Sequence, residues 1–232
     1  LSLPPALLVR RPPADPRDYR EAAWLVRDMA LSLLPSVVAL EQFRQLAGAS
    51  QARLPFIGFG DPVLSPPRAA SAGGASTPVA QDCRITAADV GRLPALPETA
   101  TELRALARTL GAAPDRVVLG RQATVPAVEA SPLGNYRIVT FATHALLAGE
   151  LDCLTEPALV LTPREGAKTG DNGLLSASAI AGLKLDAEWV LLSACNTAGA
   201  GGGLRGEGLS GLATAFFYAG SRALLASHWS VV

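Results

Sequence analysis

Tyr136–Ala142 reads YRIVTFA and runs directly into Thr143-His144. Rich in β-branched and aromatic residues, it has the composition of a buried strand. A second apolar run, EWVLLSA at 188–194, passes in the same way into Cys195-Asn196-Thr197. Outward from these two, strands and helices alternate. PETATELRALARTLGA (97–112) is a helix, with Glu98 or Thr99 near its start and Gly111 at its stop. RVVL (116–119) is a short strand and 124–130 a brief helix. ALVLT (158–162) and NGLL (172–175) make a hairpin or an extension, and 176–183 a short helix. The uncharged segment 208–219 predicts a helix buried on most sides, and ALLASHW (223–229) a last strand. Upstream, LPFIGF (54–59) is a strand closed by Gly60-Asp61-Pro62. Strands apolar on both faces, alternating with helices, predict an α/β fold with a mostly parallel sheet between helix layers.

Two segments precede this core. YREAAWLVRDMA (19–30) and SVVALEQFRQLAG (36–48) flank Leu33-Leu34-Pro35-Ser36. Val37, Leu40, Phe43 and Leu46 give the second a helical stripe, with Ser36 as N-cap and Gly48 as stop. The expected organisation is one domain over 1–232, with a helical lead-in at 1–50 and a core at 52–232. Residues 62–81, rich in Pro, Ala, Ser and Gly, form a long loop with little to pin it. The chain begins without Met and stops after an apolar run, so a segment of a longer protein is expected.

Composition narrows the function classes. Of 232 residues, 49% are hydrophobic, enough for a core of its own. Twenty basic residues balance 20 acidic ones, so nothing global favours nucleic acid or an anionic membrane. Charged residues interrupt every apolar run before 18 residues, which excludes a membrane-spanning helix. Cys83, Cys153 and Cys195 make neither a metal pattern nor an even disulfide framework, so a reducing, cytoplasmic compartment is expected. His144 and His228 are too scattered for a zinc site, and no metal or cofactor is implied.

Ligands of open α/β sheets bind beyond the carboxyl ends of the strands. His144 and Cys195 each follow a strand, so adjacent strands would bring them together there. Such a pair suffices for acyl transfer: imidazole helps form the thiolate, thiolate attacks the carbonyl, and the imidazolium protonates the leaving amine. Cys195 follows His144 by 51 residues, close to the roughly 50 that separate the two in caspases. Taken singly, a Cys after an apolar strand is commonly core packing, and a His at a strand end commonly structural.

The blocks FATH (141–144), DNGLLSA (171–177), LLSACNTA (191–198) and GEGL (206–209) resemble the CHAT domain, the caspase-like peptidase domain often found behind TPR repeats in bacteria. The similarity extends to WLVRDMALSLLPSVVAL (24–40), FIGFGDP (56–62) and residues 96–111. It implies a caspase-like three-layer α/β/α sandwich and a Cys/His dyad at Cys195 and His144. It also implies an oxyanion hole from the backbone N–H groups of Ala145 and Cys195. Where such enzymes follow the catalytic His with Gly, this chain has Ala145; it also lacks the further helix and strand that CHAT domains carry after the Ser-His-Trp strand.

The implied activity is cysteine endopeptidase, acting on protein or peptide substrates under control of a TPR or other sensor region outside this chain. The alternative is an inactive caspase-like scaffold for protein contacts. Asp61 stands where the resemblance places the reader of the residue before the cut, favouring Arg or Lys; otherwise it caps a Gly-Asp-Pro turn. Ser227 and Trp229 fall on the strand that would hold an extended peptide, although Trp229 fits a core equally well. The run GGGLRG (201–206) satisfies G-x-G-x-x-G, but it begins six residues after Cys195 and no acid follows Glu207, so a dinucleotide site is disfavoured.

Overall fold

A computed structural model describes residues 9–15, 17–29, 48–64, 85–164, 171–193 and 206–226. The chain divides into two compact units, Leu1–Leu46 and Ala47–Val232.

In the first unit β1 (Val9–Arg11) pairs antiparallel with β2 (Ala23–Trp24), Val9 facing Trp24 and Arg11 facing Ala23. A 3-10 turn covers Tyr19–Glu21, and one turn of helix, α1, covers Leu25–Asp28. Of the helical lead-in expected over 1–50, the described residues 17–29 thus hold a 3-10 turn and a single turn of α-helix. Strand pairing takes up Ala23 and Trp24, and the Trp24 indole N–H donates to the Tyr19 carbonyl at 2.9 Å, holding this stretch out of a helix. The helix expected at 36–48 lies almost wholly outside the described residues, as does most of the loop at 62–81.

The second unit follows the order β3 (Leu54–Gly60), α2 (Ala87–Val90), α3 (Glu98–Thr109), β4 (Val117–Leu119), α4 (Val125–Ala130), β5 (Tyr136–Ala142), β6 (Ala145–Leu146), β7 (Ala158–Val160), β8 (Leu174–Ser176), α5 (Ala177–Ala181), β9 (Trp189–Leu192), α6 (Gly206–Tyr218) and β10 (Leu224–Ala226). Five strands form one sheet in the order β10-β9-β5-β3-β4, parallel at every pairing. The expected α/β architecture is present. From β3 the chain steps outward to β4, then returns to the other side for β5 and beyond. That reversal is a topological switch point between β3 and β5, where open α/β sheets form their ligand crevice beyond the carboxyl ends.

The strand faces explain the layers. Ile57, Phe59, Val139, Phe141, Val190 and Leu192 pack with Val128 of α4, Ile180 of α5, and Leu212 and Phe216 of α6. Phe59 stacks on Phe141 at 5.4 Å between ring centroids, and Phe216 tilts against Phe141 at 5.6 Å. Phe56 and Ala142, on the opposite face, meet Leu103 and Ala107 of α3. Two glycines allow α3 to lie low there. A Cβ on Gly60 would fall 2.6 Å from Leu103 Cδ1 and 2.7 Å from the Ala142 carbonyl oxygen; one on Gly58 would fall 2.8 Å from Leu103 Cδ2.

A smaller antiparallel sheet, β6-β7-β8, stands beside the main one, with Ala145 opposite Leu159 and Leu159 opposite Leu175. The pairing of β7 with β8 is the expected hairpin-like contact. At two residues, β6 is too short to leave a periodic signature. At the amino ends of the strands, Asp186 pairs with Arg222 at 2.7 Å; it also accepts from the Gln51 N–H at 2.6 Å and from the Ser50 hydroxyl. Arg222 in turn donates to the Gly48 carbonyl at 2.7 Å. Among the described residues no helix is long and apolar enough to cross a membrane.

Candidate active site

His144 leaves the sheet two residues after β5 ends at Ala142. The turn is fixed by β7: the Thr143 hydroxyl donates to the Val160 carbonyl, and the Val160 N–H donates to the His144 carbonyl at 2.9 Å. Against this rigid backbone the imidazole is 2% exposed. Its Nε2 lies 2.7 Å from the carbonyl oxygen of Pro94, in the loop between α2 and α3. A carbonyl only accepts, so Nε2 carries the proton and the neutral ring holds a lone pair on Nδ1. That Nδ1 is buried with no hydrogen-bond partner among the described residues. A buried unpaired acceptor costs about 1–3 kcal/mol and calls for a physical reason.

The loop carrying Pro94 is itself held. Thr99 at the start of α3 donates its hydroxyl to the Leu96 carbonyl at 2.7 Å and accepts the Asp61 N–H at 2.9 Å. Asp61, one residue past β3, has φ +47 and gives its carbonyl to the Gly120 N–H at 3.1 Å. Asp tolerates this left-handed region better than most side chains. The backbone of Asp61 thus makes the turn, while its carboxylate accepts no hydrogen bond from a described residue. Burial pushes this carboxyl above its usual range; the charge of Arg104 opposes the rise and that of Glu98 adds to it.

Ala145 opens β6 and is fully buried. The Val160-to-His144 bond makes that pair a hydrogen-bonded rung, so the next N–H along, that of Ala145, points away from β7. Only Asp61 and Cys153 have positive φ among the described non-glycine residues. Ala145 therefore sits in ordinary backbone, where a glycine is not required.

Cys195, Ser227 and Trp229 lie outside the described residues, as do His228 and residues 201–205 of the glycine-rich run. The described residues of the second strand reach Ser193, two residues before Cys195. Phe141 is paired with Leu192, and the Ser193 N–H donates to the Phe141 carbonyl at 2.9 Å. Neighbouring strands β5 and β9 are therefore in register up to Phe141 and Leu192.

Two contributors have no sequence signature. Pro94 acts through its main-chain oxygen, which any residue would supply. Glu102, on α3, accepts from the Ser193 hydroxyl at 3.0 Å, two residues before Cys195; in the sequence it is one more acid in the first turns of a helix. Cys153 is disulfide-bonded, and the other two cysteines, Cys83 and Cys195, lie outside the described residues. Three cysteines leave room for one bridge, and Cys153 takes part in it.

In comparison with known proteins, residues 2–232 match the family model described as the CHAT domain. No curated protein matches, and no solved structure does.

Proposed function

The chain belongs to the CHAT domain family, whose fold is caspase-like, and from that premise we propose that it is a cysteine endopeptidase with Cys195 as nucleophile and His144 as its base. The observation that carries this reading is the buried, unpartnered Nδ1 of His144, opposite an Nε2 fixed on the Pro94 carbonyl. Nδ1 takes the Cys195 proton and the thiolate attacks the scissile carbonyl. The Pro94 oxygen holds the resulting imidazolium in place, as a carboxylate would in a triad, with a dipole instead of a charge. The tetrahedral oxyanion is received by the N–H groups of Ala145 and Cys195. His144 then protonates the leaving amine, and a water activated by the same imidazole hydrolyses the thioester.

Asp61 supplies the preference for Arg or Lys before the cut. Its carboxylate is half-buried one residue past β3, at the switch point, and uses none of its hydrogen-bonding capacity on described residues. Ser227 and Trp229 follow directly on β10, an edge strand of the described sheet, and would extend it for an added peptide strand. A TPR or other sensor region of the full-length protein sets when the site acts.

A thiol-reactive peptidyl ketone with Arg at its reactive end tests the reading on the purified chain. Mass-spectrometric mapping is expected to find the probe on Cys195, with Cys83 and Cys153 unlabelled and the signal gone in Cys195→Ala. No labelling of Cys195 in folded protein would favour the scaffold instead.

A further inference from the structure

The strand order leaves β4 with a neighbour on one side only among the described residues. Beside its open edge lies a cavity of about 410 Å³ between α3 and β4, walled by Arg104, Ala107 and Arg108 on the helix and by Val117 and Leu119 on the strand, with Gln122 at one end. Val117 and Leu119 share the sheet face on which α3 packs, whereas Val118 faces the opposite core. Both arginines are exposed. Neither guanidinium makes a salt bridge or hydrogen bond with a described residue, and Arg104 lies within electrostatic reach of the Asp61 carboxylate.

These features fit one occupant. A strand added at an open edge projects every second side chain onto the same face as Val117 and Leu119, hence toward the helix wall. Its facing positions i and i+2 are about 6.6–6.8 Å apart. Arg104 and Arg108 are one helical turn apart, about 6 Å along the axis. An extended segment with acids at alternate positions therefore meets both guanidinium groups while its main chain completes the edge. An arginine fork takes a carboxylate with two parallel hydrogen bonds, which suits this pairing better than a point charge would.

We propose that the groove between α3 and the edge strand β4 is a docking site for an extended acidic peptide segment of a partner protein, held by strand addition to Val117–Leu119 and by Arg104 and Arg108. It is separate from the dyad and stands or falls without it. Its place beside Asp61 makes it an exosite at the flank of the crevice, where a bound segment shares its anchor helix with the candidate active site.

The test measures binding, not cleavage. A fluorescein-labelled decapeptide with a Glu-Val-Glu-Val-Glu core is titrated with the whole chain by fluorescence anisotropy at low salt, beside versions with Gln or Lys replacing Glu. The Glu peptide is expected to bind about ten-fold more tightly than the Gln peptide and to lose that advantage as salt rises. Arg104→Glu with Arg108→Glu should reverse the preference toward the Lys peptide, while Arg104→Gln with Arg108→Gln should level all three. Hydrogen exchange should show new protection at residues 117–119 with the Glu peptide bound. Equal affinity for Glu and Gln peptides, or a preference that survives the charge reversal, overturns the proposal. So does unchanged exchange at β4, or an oligonucleotide of equal charge that binds as tightly as the Glu peptide.

Discussion

The imidazole of His144 donates from Nε2 to the main-chain oxygen of Pro94 at 2.7 Å, across 50 residues of sequence. The bond fixes the tautomer and leaves the other nitrogen buried without a hydrogen-bond partner among the described residues.

Replacing His144 separates its two duties. His144→Ala is expected to lower kcat/KM about 10³-fold or more and to cost stability of about 1–3 kcal/mol, because the Pro94 carbonyl loses its partner. Cys195→Ala should bring a comparable loss of activity without that loss of stability. Peptide turnover and urea unfolding on the same preparations check both, and full turnover by His144→Ala would remove the histidine from the mechanism.

Asp61 gives opposite signs in stability and in cleavage. Its carboxyl is raised above the ordinary 3.8 by burial. Folded protein then holds the proton longer than unfolded protein, so the contribution to stability falls as pH rises from 3.8 through the raised value. Asp61→Asn keeps a residue tolerant of positive φ and removes that penalty. It is expected to be as stable as the parent in acid and somewhat more stable at neutral pH, while cleavage after Arg or Lys drops at least ten-fold relative to neutral residues. A drop in melting temperature at pH 7 would return Asp61 to a turn-capping role.

The bridge at the amino ends of the strands titrates with the other sign. Burial pushes the Asp186 carboxyl up, but hydrogen bonds from Arg222, the Gln51 N–H and Ser50, with the Arg222 charge, outweigh it and hold the carboxyl below its usual range. Its stabilisation is present above the ordinary carboxylate pKa and fades as pH falls through the lowered one. Asp186→Ala should cost about 1–2 kcal/mol at pH 7, by denaturant unfolding, with a smaller difference at pH 3. Because this bridge lies at the far end of the sheet, kcat/KM should hold.

The bridge at Cys153 makes a prediction about thiol count. Unreduced, unfolded protein should show one free thiol among its three cysteines, and the proposed mechanism requires that one to be Cys195. Alkylation without reductant followed by peptide mapping decides it. Three free thiols would show that no bridge forms in solution, and a blocked Cys195 would show a site that works only after reduction.

Strands apolar on both faces were the most legible part of the fold. YRIVTFA is β5 over the same seven residues, because β-branched and aromatic side chains on both faces fit a buried strand and little else. The pair β7 and β8 was legible as a contact, since each short apolar run needs a partner. Ala145–Leu146 was not, because two residues carry no periodicity. Within the lead-in over 1–50, the pairing of Val9–Arg11 with Ala23–Trp24 was not legible, because two short strands carry no periodicity and meet only in space. At the site, His144 stood out as a reactive type at a strand end, and Asp61 only through the family resemblance. The positive φ of Asp61 and the Pro94 oxygen could not, being properties of the main chain.

Gly58 and Gly60 have a consequence well beyond the core beneath them. The helix they admit carries Glu102, and the loop leading into it carries the Pro94 oxygen. The height of both above the strand ends is therefore set by two absent methyl groups. A larger residue at position 60 would act as a shim under α3, lifting the acceptor off His144 and deepening the crevice without altering any group that takes part in the chemistry. The spacing of the site is thus written where the sheet has no side chains at all.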